Sequence, residues 1–366
     1  MNGEVSNSPQ PTAGERKNEP NYDMHDDCEE GLRRWPKLRP ILHDCEKTIR
    51  LAYDAADTHA TKYLRMHKVV VLVAALCGML AVLFAILQLP TLDYRVDHSG
   101  QPDPPSILGF NIKLGEVLAA TAAGAAVVLG LIAFASKWLL ERERAECYRF
   151  LKFNFLLRPE LWNQYPGERK KWLQDRIKPI RNLNRKELKR WAEGEDEVVE
   201  VVPSDVPEGV DEAILKDLIR YYRTKRLNYQ LRYFAAQADR RRSWDRITSF
   251  APHVLFFLSV LAALGHFSYD LLPGGEAEMV TLTLLMFAAC FPVIGATVRT
   301  VRTAHEFSRN ALRFKAVSHE LNHLTDDLQQ RTDPREELRV LRGVEKALEA
   351  ERREWRRLME EAEWFG

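Results

Sequence analysis

"VTLTLLMFAACFPVIGATVRTVRTAHEFSRNALRF", Val280 to Phe314, decides the fold. Its first part, Val280 to Val298, carries no charged residue and has the roughly 20 residues that a helix needs to cross about 30 Å of hydrocarbon. Its second part is charged. Arg302, Glu306, Arg309 and Arg313 fall on one helical stripe, and Phe307, Ala311, Phe314 and Leu321 form an apolar stripe at compatible spacing. A helix leaving a bilayer would thus continue into an aqueous compartment with one face prepared for a partner helix. Pairs of Glu306 with Arg302 or Arg309 along the helix contribute only a few tenths of a kcal/mol each, so the stripe reads either as a bridge to another helix or as a plain solvated face.

Three further windows are similarly apolar: Val69 to Leu89, Leu114 to Phe134, and Pro252 to Leu272. A helix that is hydrophobic all round needs an apolar surround, and four of them are hard to bury in a water-soluble core. The third window is diluted by His253, Ser259, His266 and Ser268, and Pro252 stands where a helix would begin. The expected fold is an all-α integral membrane protein with four transmembrane helices. The whole chain has a formal net charge of +1, with 46% hydrophobic and 29% charged residues. A balance so near neutral gives no case for nucleic acid as the main partner. The partner implied is the lipid bilayer.

Lys and Arg flank the windows unevenly. Lys62, Arg65 and Lys68 precede the first; Lys137, Arg142, Arg144 and Arg149 follow the second; Arg240 to Arg246 precede the third; Arg299, Arg302, Arg309 and Arg313 follow the fourth. The two short connecting loops are nearly free of them. The positive-inside rule then puts both loops outside and both termini in the cytoplasm. The polar stretch Met1 to Pro20 has no apolar core of a signal peptide, and residues 1–30 read as a disordered tail. Cys28, Cys45, Cys77, Cys147 and Cys290 form no C-x-x-C pair, so free thiols are expected. "HDDC" (His25 to Cys28) and "HDC" (His43 to Cys45) match no standard zinc spacing, and no metal is expected.

The chain also resembles itself. "LAYDAADTHATKYLRMHK" (Leu51 to Lys68) and "LRYFAAQADRRRSWDRI" (Leu231 to Ile247) share Leu-x-Tyr-x-Ala-Ala ahead of a basic stretch and an apolar window. Glu146-x-x-Arg149 with Phe153 matches Glu306-x-x-Arg309 with Phe314. Two tandem two-span modules, residues 31–157 and 212–366, follow from this repeat. Between them, 158–211 holds the basic amphipathic stretch Glu160 to Ala192 and an acidic linker. That stretch suits either the anionic inner leaflet or a helical hairpin packed on the stems. "AILKDLIRYYRTKRLNYQLRYFAAQADRRR" (Ala213 to Arg242) reads as one long helix with two apolar sides. After the break at Asp333-Pro334, Leu338, Leu341, Leu348, Trp355 and Leu358 recur at near-heptad spacing, as in a coiled-coil arm.

The second module resembles the bacterial two-transmembrane SLATT superfamily. The resemblance is carried by Tyr222, Arg226, Gln230 and Tyr233 before the spans, by Glu306, Arg309, Arg313 and Phe314 after them, and by Glu351 and Trp355 near the end. The first module keeps only Glu146, Tyr148 and Arg149. The resemblance implies an effector of a bacterial conflict system that forms pores in, or disrupts, the inner membrane, coupled to a cytosolic sensor of a nucleotide signal. No phosphate loop, dinucleotide fingerprint, zinc-protease motif or nucleophile elbow is present, so neither an enzyme nor a cofactor is expected. Four spans cannot enclose a wide aqueous path, so a pore would need a homo-oligomer. Glu116, Thr121, Ser259, Thr281, Thr283 and Thr297 are the pore candidates. Ala119/Ala123 and Ala120/Gly124 form small-xxx-small pairs for span packing, and Pro292 and Gly295 read either as a hinge or as packing positions. The competing class is a membrane-anchored scaffold that recruits a cytosolic partner through its stems.

Overall fold

The computed structural model describes residues 21–24, 33–97, 112–134, 137–192, 210–270, 278–304 and 307–365. Among them the only regular structure is helical: α1 (Arg39–Asp97), α2 (Ile112–Phe134), α3 (Trp138–Leu156), α4 (Pro166–Asn182), α5 (Arg185–Ala192), α6 (Glu212–Tyr222), α7 (Asn228–Asp270), α8 (Glu278–Ala304), α9 (Phe307–Gln330) and α10 (Pro334–Phe365). Contacts divide the chain into two units. One, the stem, gathers residues 1–62, 137–237 and 313–366; the other, the apolar unit, gathers 63–136 and 238–312.

Among the described residues, three helical stretches are long and apolar enough to cross a membrane: Arg39–Ile86, Glu212–Tyr269 and Val280–Gln330. The described apolar stretch of α2, Val117–Leu129, is shorter. Helices α7 and α8 pack antiparallel. Each seven-residue step along α7 (Asp245, Pro252, Ser259) is met by an equal step back along α8 (Arg302, Gly295, Ala288). Arg302 pairs with Asp245 at 2.8 Å, the Ser259 hydroxyl donates to the Ala288 carbonyl at 2.6 Å, and a Cβ at Gly295 would lie 3.6 Å from the Pro252 Cα. Pro252 therefore does not start a helix. It lies inside α7, where Gly295 gives its backbone room. Helix α8 runs unbroken through Pro292 and Gly295, and a Cβ at Gly295 would stand at ordinary contact distance from Pro252 and Leu255 of α7. The outer faces are greasy: Phe250, Phe256, Phe257 and Phe267 are each more than 60% exposed.

The stem is built by capping as much as by hydrophobicity. Asp211 caps α6 by accepting from the Ala213 amide, and Asp333 caps α10 ahead of its first-turn Pro334. Asn184 and Glu187 form a reciprocal capping box at α5. The Glu160 to Ala192 stretch packs within the stem: Leu173, Ile177, Ile180, Leu188 and Trp191 are buried, and Arg169 pairs with Asp44 at 2.8 Å. Within 213–242 the helix is not uniform. A π-helical turn, Arg223–Leu227, joins α6 to α7. The expected tail, 1–30, is also interrupted, because Asn21–Met24 form a turn whose Tyr22, Asp23 and Met24 are buried in the stem. Tyr22 and Met24 supply apolar contact there, and Asp23 supplies polar contacts. "HDDC" and the linker 193–209 lie outside the described residues.

Candidate functional site

The stem interior is unusually ionic, and the π-helical turn is one cause. Its extra residue per turn brings three successive residues inward, so Lys225, Arg226 and Leu227 are all buried. Arg226, 1% exposed, donates Nε and Nη2 to the two oxygens of Glu345 on α10 at 2.8 and 3.2 Å. Its Nη1 donates to Asp23 Oδ2 at 2.8 Å. The Tyr222 hydroxyl donates to Glu345 Oε1 at 2.6 Å, and the Phe153 ring of α3 packs against both, 4.6 Å from the guanidinium and edge-on to Tyr222.

Asp23, fully buried, also receives Gln230 Nε2 at 3.2 Å and has Arg149 Nε at 3.3 Å. Lys152 caps the Asp23 carbonyl at 2.8 Å. Lys225 caps the Tyr22 carbonyl at 3.3 Å, its ammonium 4.0 Å from the Tyr22 ring centre. Arg149 holds both oxygens of Glu146 at 2.9 Å and donates Nη2 to Asn21 Oδ1 and the Tyr53 hydroxyl at 2.7 Å. Burial pushes the Glu146 carboxyl up, but the guanidiniums of Arg142, Arg149 and Arg226 outweigh it and hold the group down at about 2. Burial, reinforced by Glu345, drives the Tyr222 phenol well above its usual range; burial and Asp23 push Tyr229 up to about 12. Tyr222 and Tyr229 therefore act as neutral hydrogen-bonding groups at physiological pH.

Two further clusters tie α10 to α3 and α9. Glu143 accepts from Arg352 and, at 2.8 Å, from Arg356, whose guanidinium lies over Trp191. Arg313 pairs with Glu351 at 3.3 Å. There burial wins: the Glu351 carboxyl is raised to about 7, against the pull of Arg313.

The sequence-derived residues fall into three groups. Tyr222, Arg226, Gln230, Arg149, Glu146, Arg313 and Phe314 are drawn together inside the stem, Phe314 with its ring 5.8 Å from Phe234. They make up part of the chain's own interior. Tyr233 (37% exposed) and Arg309 remain at the surface, and Trp355 stacks edge-on with Trp138. Arg309 thus differs in environment from Arg149, its counterpart in the repeat. Glu306 and the side chain of Glu116 lie outside the described residues. Of the span candidates, Thr121 and Thr297 donate to carbonyls of their own helices, Val117 at 2.6 Å and Val293 at 3.0 Å, while Thr283, Ala120 and Gly124 are exposed. Among the described residues nothing lies within 4 Å of where a Gly124 Cβ would stand. Asp23, Lys152, Lys225, Glu345, Glu143, Arg352 and Arg356 were not foreseen. The available signal was position: Glu345 and Arg352 fall one and two heptads after the buried Leu338, where a coiled-coil seam wants apolar residues.

No family model, curated protein or solved structure matches the chain.

Proposed function

We propose that the chain is a four-span membrane effector of a bacterial conflict system, which oligomerises in the inner membrane when a cytosolic sensor triggers it and opens a pore or perturbs the bilayer. The observation that carries this reading is the open small-residue face of α2. Ala120, Ala123 and Gly124 are exposed, and none of the described residues fills the space beside Gly124. In lipid, such faces favour close helix contact, and a second copy supplies the partner. The 23 residues of α2 support its role as the fourth span, since they extend ~35 Å as a helix. The distribution of Lys and Arg supports cytoplasmic termini, and the SLATT resemblance supports the effector role.

The test is conductance. The full chain, reconstituted in liposomes, is expected to assemble into rings and release a small dye, and its induction in cells to depolarise the membrane. A strict monomer without conductance would sink the reading.

A second reading, the membrane-anchored scaffold, is favoured by the span hydroxyls. Thr121, Ser259 and Thr297 donate their hydroxyl protons to carbonyls within the chain, which leaves them fewer donors to offer a polar path. Recruitment of a cytosolic protein without any conductance would favour it.

A further inference from the structure

We propose that the stem carries a socket for a multi-oxygen anion, a phosphate-bearing small molecule, and that the turn Asn21–Met24 fills it here as an intrachain competitor. The socket is built without the turn. Glu345 holds Arg226 by two hydrogen bonds, and Glu146 holds Arg149 by two more, so both guanidiniums are fixed from the helix side. Their remaining donors, Arg226 Nη1 and Arg149 Nη2, converge with Gln230 Nε2, Lys152 Nζ and Lys225 Nζ on the turn. Fixed, desolvated donors of this kind suit planar or tetrahedral oxyanions.

What the turn offers them is acceptor oxygen: the Asp23 carboxylate, the carbonyls of Tyr22 and Asp23, and Asn21 Oδ1. Asp23 fits incompletely. Its Oδ2 is shared by Arg226, Gln230 and Arg149, whereas its Oδ1 is buried and accepts nothing. A phosphate group places three or more oxygens in the same space. The four residues of the turn lie in no helix, and they meet Asp57 as well as Arg149 and Tyr229, which stand 128 and 208 positions away in sequence. The proposal stands independently of whether the chain conducts ions.

Calorimetric titration with inorganic pyrophosphate, on the full chain in detergent micelles at constant ionic strength, tests it. Asp23→Ala is expected to bind about tenfold more tightly than the native chain, because the competing carboxylate is gone. Adding Lys152→Gln, which leaves the Arg226–Glu345 pair in place, is expected to remove that gain while the helical circular dichroism stays that of Asp23→Ala. Equal affinity in the native chain and Asp23→Ala, or a gain that survives Lys152→Gln, overturns the proposal. Should Asp23→Ala fail to fold in plain buffer, pyrophosphate is expected to restore its helical circular dichroism, and failure to restore it overturns the proposal too. Vesicles containing phosphatidic acid are expected not to distinguish Asp23→Ala from the native chain. Discrimination by vesicles without discrimination by pyrophosphate would assign the socket to a lipid headgroup and overturn the small-molecule assignment.

Discussion

Arg226 grips both carboxylate oxygens of Glu345, 119 residues away in sequence, and both side chains are 2% exposed. Such a pair costs several kcal/mol per ion in lost hydration, which only good geometry and further hydrogen bonds offset. Both are present: two aligned bonds, Tyr222 on the carboxylate and Asp23 on the guanidinium. The pair therefore works as a register pin between the π-helical turn and α10, since a slipped α10 would leave two bare charges in the core.

Breaking that pin from one side is expected to be severe. Arg226→Ala or Glu345→Ala should each destabilise the stem by about 3–5 kcal/mol, because each strands a buried charge. The double variant should cost less than the sum of the two. Thermal melts in detergent, followed by circular dichroism, measure the coupling; strict additivity would show that the pin carries no interaction energy.

Sequence and structure agree where hydrophobicity speaks and part where charge is hidden. Three of the four apolar windows fall in helical stretches long and apolar enough to cross a membrane, and they were legible because long uncharged runs have few other homes. Leu338, Leu341 and Leu348 were legible as a seam, and all three are buried. The ionic interior was not, because a buried Lys or Glu spells the same letter as a solvated one. Regular helical spacing also fails across Arg223–Leu227, where the π-helical turn resets the faces and sends Lys225 inward. Asp23 was hidden in a polar stretch whose composition resembles a tail, and only contacts more than a hundred residues away bury it.

Glu351 gives the stem a pH response near neutrality. Its carboxyl is raised from about 4.5 to about 7 by burial, with Arg313 and Arg142 pulling down and Glu146 and Glu354 pushing up. A raised folded-state value means that its contribution is complete below about 4.5 and is lost as pH rises through 7. The loss is on the order of 3 kcal/mol. Glu351→Gln, which stays neutral, should flatten the stability profile between pH 5 and 8 and melt higher than the native chain at pH 8. Parallel profiles for the two proteins would refute this.

Glu146 has the opposite sign. Its carboxyl is held down at about 2, so its contribution is present above about 4.5 and is lost as pH falls through 2. Glu146→Gln should cost on the order of 3 kcal/mol at neutral pH and almost nothing at the acid end. Denaturation at pH 7 and pH 2 compares them directly; a pH-independent cost would show that Glu146 acts by shape alone.

Gly295 sets how closely α7 and α8 approach. An added Cβ would meet the Pro252 Cα at 3.6 Å and the Leu255 Cβ at 3.7 Å, which is ordinary contact. Gly295→Ala should therefore be tolerated. Gly295→Leu has nowhere to put its branch without driving the helices apart, and should cost about 1–3 kcal/mol. It should also weaken the Ser259 to Ala288 hydrogen bond one heptad away. Cross-linking of cysteines placed at 259 and 288 reports the separation; equal yields in Gly295→Ala and Gly295→Leu would show that the glycine does not set it.

Gly124 separates folding from assembly. No described residue lies within 4 Å of its added Cβ, so Gly124→Leu should leave the melting temperature of the monomer unchanged. If α2 meets a second copy through Ala120 and Gly124, the same substitution blocks the approach of the two backbones, and the oligomer should fall apart. Mass photometry in detergent measures the first effect and dye release from liposomes the second. Loss of both, with melting intact, is what the effector predicts, because its pore exists only between chains. Oligomers that persist in Gly124→Leu would move the interface elsewhere. Persistent dye release would remove α2 from the pore, leaving the open face beside Gly124 to ordinary lipid.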